Sequence, residues 1–325
     1  MMKKRVFSGI RPTGRIHLGN YLGAVQNYVA MQEEYDCIYS VVDIHALTTL
    51  EDTHLLKDNV REQVIDLLAA GLDPEKCILF VQSHVPEVME LFTLLGMATP
   101  LSWLLRVPTF KEKVRQQPHN VNYGLVGYPV LMTADIVLYK AEAIPVGEDQ
   151  LPHLELAREI VRRFNDHFGP VFPEPQGKLT NFPMVVGLDG RDKMSKSLNN
   201  HIELAATPEE TLKKVMSAVT DPARRLRTDP GHPEVCNVYK LHRHFSPTTV
   251  DAIAEECRAA SRGCVDCKKQ LGGAINEYLA PLRARRAEIA ADQDYVDRVI
   301  AEGAAKAQAI ARVTITEVKE KMGLL

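Results

Sequence analysis

The sequence lacks any apolar run that approaches the roughly 20 residues of a membrane-spanning helix, so a transmembrane protein is not expected. Internal repeats and low-complexity tracts are absent as well. The basic residues near the start are typical of a signal peptide, but the apolar run after them breaks at Arg11 and Pro12. We therefore expect no secretory leader and a location in the cytoplasm.

The sequence also lacks a strong excess of either charge. Lys and Arg number 39 against 42 Asp and Glu, and the net charge of −3 neither requires nor excludes a nucleic-acid partner. Local basic clusters bear on that question more directly than the total. Such clusters are formed by Arg224, Arg225 and Arg227 and by Arg283, Arg285 and Arg286. A solvated helical face explains each of them equally well.

Short apolar runs alternate with helical patterns at the start of the chain. The runs cover residues 5–9, 37–42 and 77–81, and the last two are nearly continuous, as in strands buried on both faces. Apolar residues between them recur at helical spacing, and Gly71 is placed to end the second helix. The alternation of strands and helices along the chain predicts an α/β fold with a doubly wound, Rossmann-like parallel sheet.

The remainder of the chain is mostly helical. A helical insertion is predicted over about residues 86–128, followed by a strand at 143–146 and a helix at 151–164. Beyond about residue 208 the pattern is helical to the end. We therefore predict a catalytic domain over residues 1–200, which includes the insertion, and an all-helical domain over residues 201–325.

The first candidate motif, His17-Leu18-Gly19-Asn20, follows the first strand and opens a helix. Ligands bind at such junctions in doubly wound sheets, and a helix N-terminus offers unpaired N–H groups to phosphate. Because Gly19 has no Cβ, a flat purine could lie close to the backbone there. A glycine-rich turn with Asn20 as its cap is the structural alternative, since a match of four residues is weak.

The second candidate motif is Lys-Met-Ser-Lys-Ser, residues 193–197. Formation of an adenylate puts negative charge on the departing pyrophosphate, and cations that reach it at that moment stabilise the transition state more than the ground state. A mobile loop that carries Lys193 and Lys196 suits this chemistry, although an exposed polar loop is the alternative. Together the two motifs are typical of class I aminoacyl-tRNA synthetases.

The sequence further resembles the bacterial tryptophanyl-tRNA synthetases. The likeness is carried by residues 7–14, 17–24, 42–48, 128–136, 146–150 and 153–156 and by the second motif. It implies activation of L-tryptophan by Mg²⁺-ATP to tryptophanyl-adenylate, release of pyrophosphate and transfer to tRNA(Trp). It also implies a homodimer, for which residues 101–110 are a plausible interface.

The resemblance implies a role for each site residue, beginning with Asp135 as acceptor of the indole N–H. Indole is a donor only, and a buried carboxylate without a partner would be costly; a charged rim at a helix start is the alternative. The indole pocket would comprise Phe7, Met132, Ile144 and Val146 as apolar walls, with Gly9, His45, Tyr128 and Gln150. Lys193, Ser195 and Lys196 would be catalytic, and Lys113 resembles a phosphate-contacting lysine. ATP would contact Arg11, Pro12, Thr13, His17, Gly19, Asn20, Gly147, Glu148, Asp149, Val185, Val186, Lys193, Met194, Ser195, Lys196 and Ser197.

Four cysteines, Cys236, Cys257, Cys264 and Cys267, follow the spacing C-x20-C-x6-C-x2-C. Structural zinc sites usually have two close pairs, whereas only the last two cysteines are paired here. The spacing is similar to that of tryptophanyl-tRNA synthetases that carry a [4Fe-4S] cluster, except that the first gap is shorter by two residues. A [4Fe-4S] cluster is therefore expected, with zinc and free thiols as alternatives.

Three other functions share part of these features. A tyrosyl-tRNA synthetase shares the fold, but residues 8–24 and the Met132 to Asp135 segment favour tryptophan. A non-catalytic RNA-binding paralogue is disfavoured because neither motif is degraded. A small-molecule nucleotidylyltransferase shares the first motif, but the long helical domain and the second motif argue against this function.

Overall fold

The structure is a computed structural model that describes residues 3–147, 150–179, 185–196 and 198–325, except for the side chains of Thr109, Gln116 and Leu179. Glu148, Asp149 and Ser197, to which the sequence assigns ATP contacts, lie outside the described residues.

In the described part of the chain, five parallel strands form one sheet in the order β3-β2-β1-β4-β5. This confirms the predicted doubly wound sheet. The order reverses between β1 and β4, which is the point where such sheets bind ligands beyond the carboxyl ends of their strands. The strands are β1 (Arg5–Ile10), β2 (Asp36–Val41), β3 (Cys77–Val81), β4 (Ala143–Val146) and β5 (Gln176–Leu179).

The central strands are apolar because both of their faces are covered. Ile38 of β2 is fully buried and pairs with Phe7 on one side and Ile78 on the other. Cys37 and Cys77 are partners in the same ladder and lie within the core. Such runs cannot alternate between polar and apolar residues, since no face meets water.

Helices make up most of the remaining structure, and the helix before Gly71 ends where the sequence indicates. Gly71 ends α4 in the left-handed region, with φ of 117°, and Thr207 and Glu210 form a capping box at α10. None of the described helices is long and apolar enough to cross a membrane. The helices are α1 (Leu18–Asn20), α2 (Gln26–Met31), α3 (Asp43–Ala46), α4 (Leu56–Ala70), α5 (Glu87–Ala98), α6 (Leu101–Arg106), α7 (Pro108–Gln116), α8 (Tyr123–Leu138), α9 (Leu151–Phe168), α10 (Pro208–Met216), α11 (Asn237–Phe245), α12 (Val250–Arg258), α13 (Cys264–Ala291) and α14 (Gln293–Lys321), with a π-helical turn at Tyr21–Val25 and a 3-10 turn at Gln82–His84.

The chain forms two compact units, neither of which is continuous in sequence. The first unit contains Met1–Gly14, Tyr28–Asn181 and Asp292–Leu325 and holds the whole sheet. The second contains Arg15–Asn27 and Phe182–Ala291. These units do not coincide with the two expected functional parts, 1–200 and 201–325, which remain a prediction about roles.

The last helix belongs to the first unit because it packs very closely against the sheet. A Cβ built on Gly303 would lie 1.8 Å from the carbonyl oxygen of Leu79 in β3, so only glycine permits this approach. Further along α14, Ala307, Ala311 and Ile315 join the hydrophobic core of the unit. The small side chains on this face bring helix and strand into direct contact.

We expect Gly303→Ala to destabilise the first unit by about 1–3 kcal/mol, because the added methyl group must push the helix away from β3. Thermal and urea unfolding would measure the change. Gly273→Ala in α13 is the matched control, since its Cβ meets nothing within 4 Å. It should stabilise the protein by about 0.5–1 kcal/mol through helix propensity. Equal effects of the two substitutions would contradict this account.

Candidate active site

A buried carboxylate, Asp135, lies at the centre of the candidate site in the first unit. It lies near the C-terminal end of α8 and is 2% exposed, so it is not part of a charged rim at a helix start. The Gln82 amide donates to both of its oxygens, at 2.7 and 2.9 Å, and His45 Nε2 lies 2.8 Å from Oδ2. These contacts hold the carboxylate in one orientation and offset its desolvation.

Gln82 is a site residue that the sequence analysis did not identify. It is fully buried and directly follows the carboxyl end of β3. Its Oε1 accepts from the backbone N–H groups of Ile44 and His45, at 3.1 and 3.3 Å, while its amide group holds Asp135. The signal in the sequence is a polar side chain that comes immediately after a buried apolar strand, at the sheet edge where ligands bind.

The predicted apolar walls lie within one hydrophobic cluster of the first unit. Phe7, Ile144 and Val146 are buried members, and the partly buried Met132 packs against them. Phe7 stacks on Tyr139 with ring centroids 5.6 Å apart. Each residue therefore has a place in the core, and the cluster borders the same helix that carries Asp135.

Two other residues of the predicted tryptophan pocket have structural partners. A Cβ on Gly9 would lie 2.8 Å from the Val42 side chain, so glycine is required by the close packing there. The Tyr128 hydroxyl lies 3.3 Å from His153 Nε2. The predicted Gln150 is exposed and precedes α9, where its N–H donates to the Gly147 carbonyl at 3.0 Å.

Two cations, Arg11 and Lys113, make this part of the first unit electropositive. Arg11 Nη2 donates to Thr49 Oγ1 and to the Ala46 carbonyl, whereas its buried Nε has no hydrogen-bond partner among the described residues. Burial, followed by the charge of Arg11, lowers the pKa of Lys113, whose ammonium lies 4.5 Å from the Tyr128 ring centroid. An anionic ligand would relieve the repulsion between the cations.

Next along the chain, Pro12 is buried and Thr13 is exposed. The Thr13 N–H donates to the Arg11 carbonyl at 2.9 Å, which closes a tight turn directly after β1. This turn ends the first segment of the first unit, and the signature that follows belongs to the second unit.

The first signature forms the start of a short helix in the second unit. His17, not Asn20, is the capping side chain: its Nδ1 accepts from the Asn20 N–H at 3.2 Å. Because Nδ1 accepts, the proton of a neutral imidazole is on Nε2, which can donate to a phosphate oxygen. The Asn20 side chain is exposed. The helix continues into a π-helical turn, a feature frequent at functional sites.

His17 is held neutral at physiological pH. Burial, then the positive charge of Lys196 and the neighbouring His201, lower the pKa of His17 to about 4. The His17 and His201 rings lie 5.6 Å apart, and His201 Nδ1 is buried without a hydrogen-bond partner among the described residues. Burial also lowers the pKa of His201.

The second signature contacts the first within the second unit. Met194 is buried, and a Cβ added to Gly19 would lie 2.9 Å from Met194 Cβ. Glycine is thus needed for the packing of the two signatures, whether or not a purine also approaches it. Val186 pairs with Lys193 in an antiparallel bridge, and the Met194 N–H donates to the Val185 carbonyl at 3.0 Å. Lys193 is exposed, and Ser195 and Lys196 are half-buried.

The four predicted cluster cysteines all lie in the second unit. Burial, followed by the thiol of Cys236, raises the pKa of Cys267 to about 12, and burial also raises the pKa of Cys236 and Cys257. Cys236 precedes α11 and Cys264 begins α13, so both lie at helix N-termini. Among the residues that the structure describes, no three His, Cys, Asp or Glu side chains are grouped to hold a metal ion.

Comparisons with known proteins agree with this geometry. The family described as tRNA synthetases class I (W and Y) matches residues 2–280. The chain is 46% identical to the tryptophan–tRNA ligase of Thermotoga maritima over 99% of each chain, and 40% identical to that of Aquifex aeolicus over 98% of this chain and 100% of the relative. A crystal structure of Campylobacter jejuni tryptophanyl-tRNA synthetase complexed with ADP and tryptophan is 34% identical, with a TM-score of 0.91 over 98% of this chain and 100% of that one.

The chain therefore belongs to the class I tRNA synthetases, in the family that serves tryptophan and tyrosine. Within this family, the two curated relatives and the solved structure described above are all tryptophan enzymes.

We expect His17 to make the protein less stable as the pH falls from about 6.5 towards about 4. In this window the unfolded chain binds a proton at this histidine that the folded chain does not, so the free energy of unfolding decreases with falling pH. His17→Asn keeps a favourable capping residue but does not titrate. Urea unfolding at about pH 7 and about pH 4.5 should therefore give a smaller loss for the variant than for the unsubstituted protein. Equal losses would contradict the neutral, buried state of His17.

Proposed function

We propose that this protein is a tryptophan–tRNA ligase. It activates L-tryptophan with ATP to tryptophanyl-adenylate, releases pyrophosphate, and transfers the tryptophanyl group to tRNA(Trp). The observation that carries the proposal is the buried Asp135 carboxylate, held by Gln82 and His45 in a chain with both class I signatures. The full-length similarity to tryptophan–tRNA ligases supports it.

Asp135 suits tryptophan because the indole ring has a donor and no acceptor. In this proposal the indole N–H donates to a carboxylate oxygen, and Phe7, Met132, Ile144 and Val146 cover the ring. Gly9, His45, Tyr128 and Gln150 line the pocket or hold the amino group. Tyrosine would place a hydroxyl elsewhere and leave the carboxylate without this partner, which a site built around a hydrogen bond rejects strongly.

The first step needs no general base, since the carboxylate of tryptophan is already ionised at neutral pH. One of its oxygens attacks the α-phosphorus of ATP in line with the departing pyrophosphate, so positioning and charge stabilisation carry the reaction. Lys193 and Lys196, with Ser195 between them, stabilise the charge that develops on pyrophosphate. His17 donates from Nε2 to a phosphate oxygen, and Arg11 and Lys113 add positive charge.

The other ATP contacts follow the two signatures. Mg²⁺ arrives with ATP, whose phosphates provide its oxygen ligands. Val185 or Val186 packs on the adenine ring. The remaining contacts come from Pro12, Thr13, Gly19, Asn20, Gly147, Glu148, Asp149, Met194 and Ser197.

Asp135→Asn should raise the KM for tryptophan about tenfold to a hundredfold, because a hydrogen bond to a buried charge is replaced by a weaker neutral one. Tryptophan-dependent and tyrosine-dependent pyrophosphate exchange with ATP would measure this. Asp58→Asn, an exposed change in α4 of the same unit, should leave the exchange with both amino acids unaltered. Exchange with tyrosine and not tryptophan in the unsubstituted protein would overturn the proposed function, whereas an unchanged KM in Asp135→Asn would overturn the role of Asp135.

We also propose that Cys236, Cys257, Cys264 and Cys267 hold a [4Fe-4S] cluster. Cysteine thiolates are the ligands that such a cluster takes, and all four cysteines lie in the second unit. Two lie at helix N-termini, which favour thiolates. Arg224 Nη1 lies 3.8 Å from Cys257 Sγ and supplies a compensating positive charge. The raised thiol pKa values describe the unliganded side chains, which would lose their protons on binding iron.

Anaerobic purification should therefore yield a brown protein with broad visible absorbance, together with iron and sulfide in similar amounts. Cys267→Ser should reduce the colour and the iron content. Cys77→Ala, which changes a cysteine of β3 outside this group, should retain both. A colourless anaerobic preparation without iron or sulfide would exclude the cluster, and bound zinc would favour the alternative metal.

The tRNA and a second subunit are the proposed macromolecular partners, and the cytoplasm is the proposed location. The helical part from residue 201 onward would recognise the anticodon region of tRNA(Trp), and its arginines and lysines supply the positive charge that a phosphate backbone requires. A homodimer is supported by apolar side chains exposed on two neighbouring helices: Met97 is 79% exposed on α5, and Leu101 is 60% exposed on α6.

A further inference from the structure

One buried side chain, Asn200, lies beneath the loop that carries the catalytic lysines. It is 4% exposed and belongs to the second unit. Its Oδ1 accepts from the Ser195 N–H at 2.7 Å, and its Nδ2 donates to the Lys193 carbonyl at 3.2 Å. A single amide thus holds the backbone on both sides of Met194.

The surrounding chain is shaped around this amide. A Cβ on Gly187 would lie 2.1 Å from Asn200 Nδ2, so glycine makes room for the side chain. Asn200 Nδ2 also donates to the Asp189 carboxylate at 2.9 Å, and this contact is the main cause that lowers the pKa of Asp189. The Leu188 N–H donates to the Asn200 carbonyl at 2.7 Å.

A second asparagine fixes the same turn from the other side. Asn237 Nδ2 donates to the Gly187 carbonyl at 2.7 Å, and the Gly187 N–H donates to the Asp192 carbonyl at 2.7 Å. The base of the loop is therefore attached through buried hydrogen bonds, whereas Lys193 itself is exposed. Such an arrangement fixes the backbone of the loop and leaves the Lys193 side chain in contact with solvent.

We propose that Asn200 is a positioning residue for adenylate formation. It sets the backbone from which Lys193 and Lys196 reach the departing pyrophosphate, and it acts through that backbone without itself contacting the ammonium groups. The inference rests on the proposed function. Because the lysines contribute most in the transition state, loss of Asn200 should reduce kcat far more than it raises the KM for tryptophan.

The primary test is Asn200→Ala in tryptophan-dependent pyrophosphate exchange. We expect kcat to fall about tenfold to a hundredfold with little change in the KM for tryptophan, since a displacement of about 1 Å in a catalytic group has an effect of that order. Asn276→Ala is the matched control. Its amide also bonds to backbone and side chain, the Pro208 carbonyl and Arg283, but not to the loop.

A conservative pair of variants separates positioning from stability. In Asn200→Asp the side chain can still accept from the Ser195 N–H, but it can no longer donate to the Lys193 carbonyl and it repels the Asp189 carboxylate, so kcat should fall. Adding Asp189→Asn exchanges the two groups and restores the hydrogen bond between them, so kcat should partly recover. If Asn200→Ala is too unstable to assay, this recovery decides the question.

The outcomes separate this proposal from the proposed function. If the unsubstituted protein does not exchange pyrophosphate with tryptophan, the proposed function is wrong, and this inference, which rests on it, is wrong as well. If it does, a kcat for Asn200→Ala equal to that of Asn276→Ala overturns the positioning role alone. An equal kcat for Asn200→Asp with and without Asp189→Asn also overturns it.

Discussion

A carboxylate that is almost completely removed from water must have its hydrogen bonds supplied by the protein, and much of the first unit is arranged to do so for Asp135. Gln82 binds both carboxylate oxygens from the end of β3. The same side chain accepts from backbone N–H groups at the start of α3, which follows β2. One amide therefore joins the ends of two strands to the helix that carries the charge, so the position of Asp135 depends on the register of the sheet.

The second unit meets a different requirement, since it carries the catalytic lysines and leaves Lys193 exposed. His17 avoids adding another charge beside Lys196, because burial keeps its imidazole neutral while Nε2 can still donate. Gly19 and Gly187 make room for Met194 and Asn200, respectively. Dense packing under the loop thus coexists with an exposed Lys193 side chain.

The sequence predicts those parts of the molecule that depend on local patterns. Continuous apolar runs identify strands buried on both faces, and Gly71 marks a helix end because few other residues tolerate its φ. The two signatures and Asp135 are identified by similarity to a family. Gln82 is not, because its importance comes from a partner distant in sequence, Asp135. Asn200 is not either, because its bonds to Ser195, Lys193 and Asp189 depend on how the loop folds back on itself. The capping role of His17 likewise depends on geometry that a four-residue match does not contain.

Local patterns also do not reveal how the chain divides into units. The α14 segment continues the helical pattern of the residues before it, yet in the fold it packs on β3. This arrangement has a consequence for biosynthesis. β3 leaves the ribosome long before α14, so the sheet surface at β3 that α14 covers stays open until translation is almost complete. A nascent chain of this protein would expose apolar sheet surface for most of its synthesis, which makes it a natural client for chaperones that bind growing polypeptides. A premature stop near the end would leave that surface uncovered permanently.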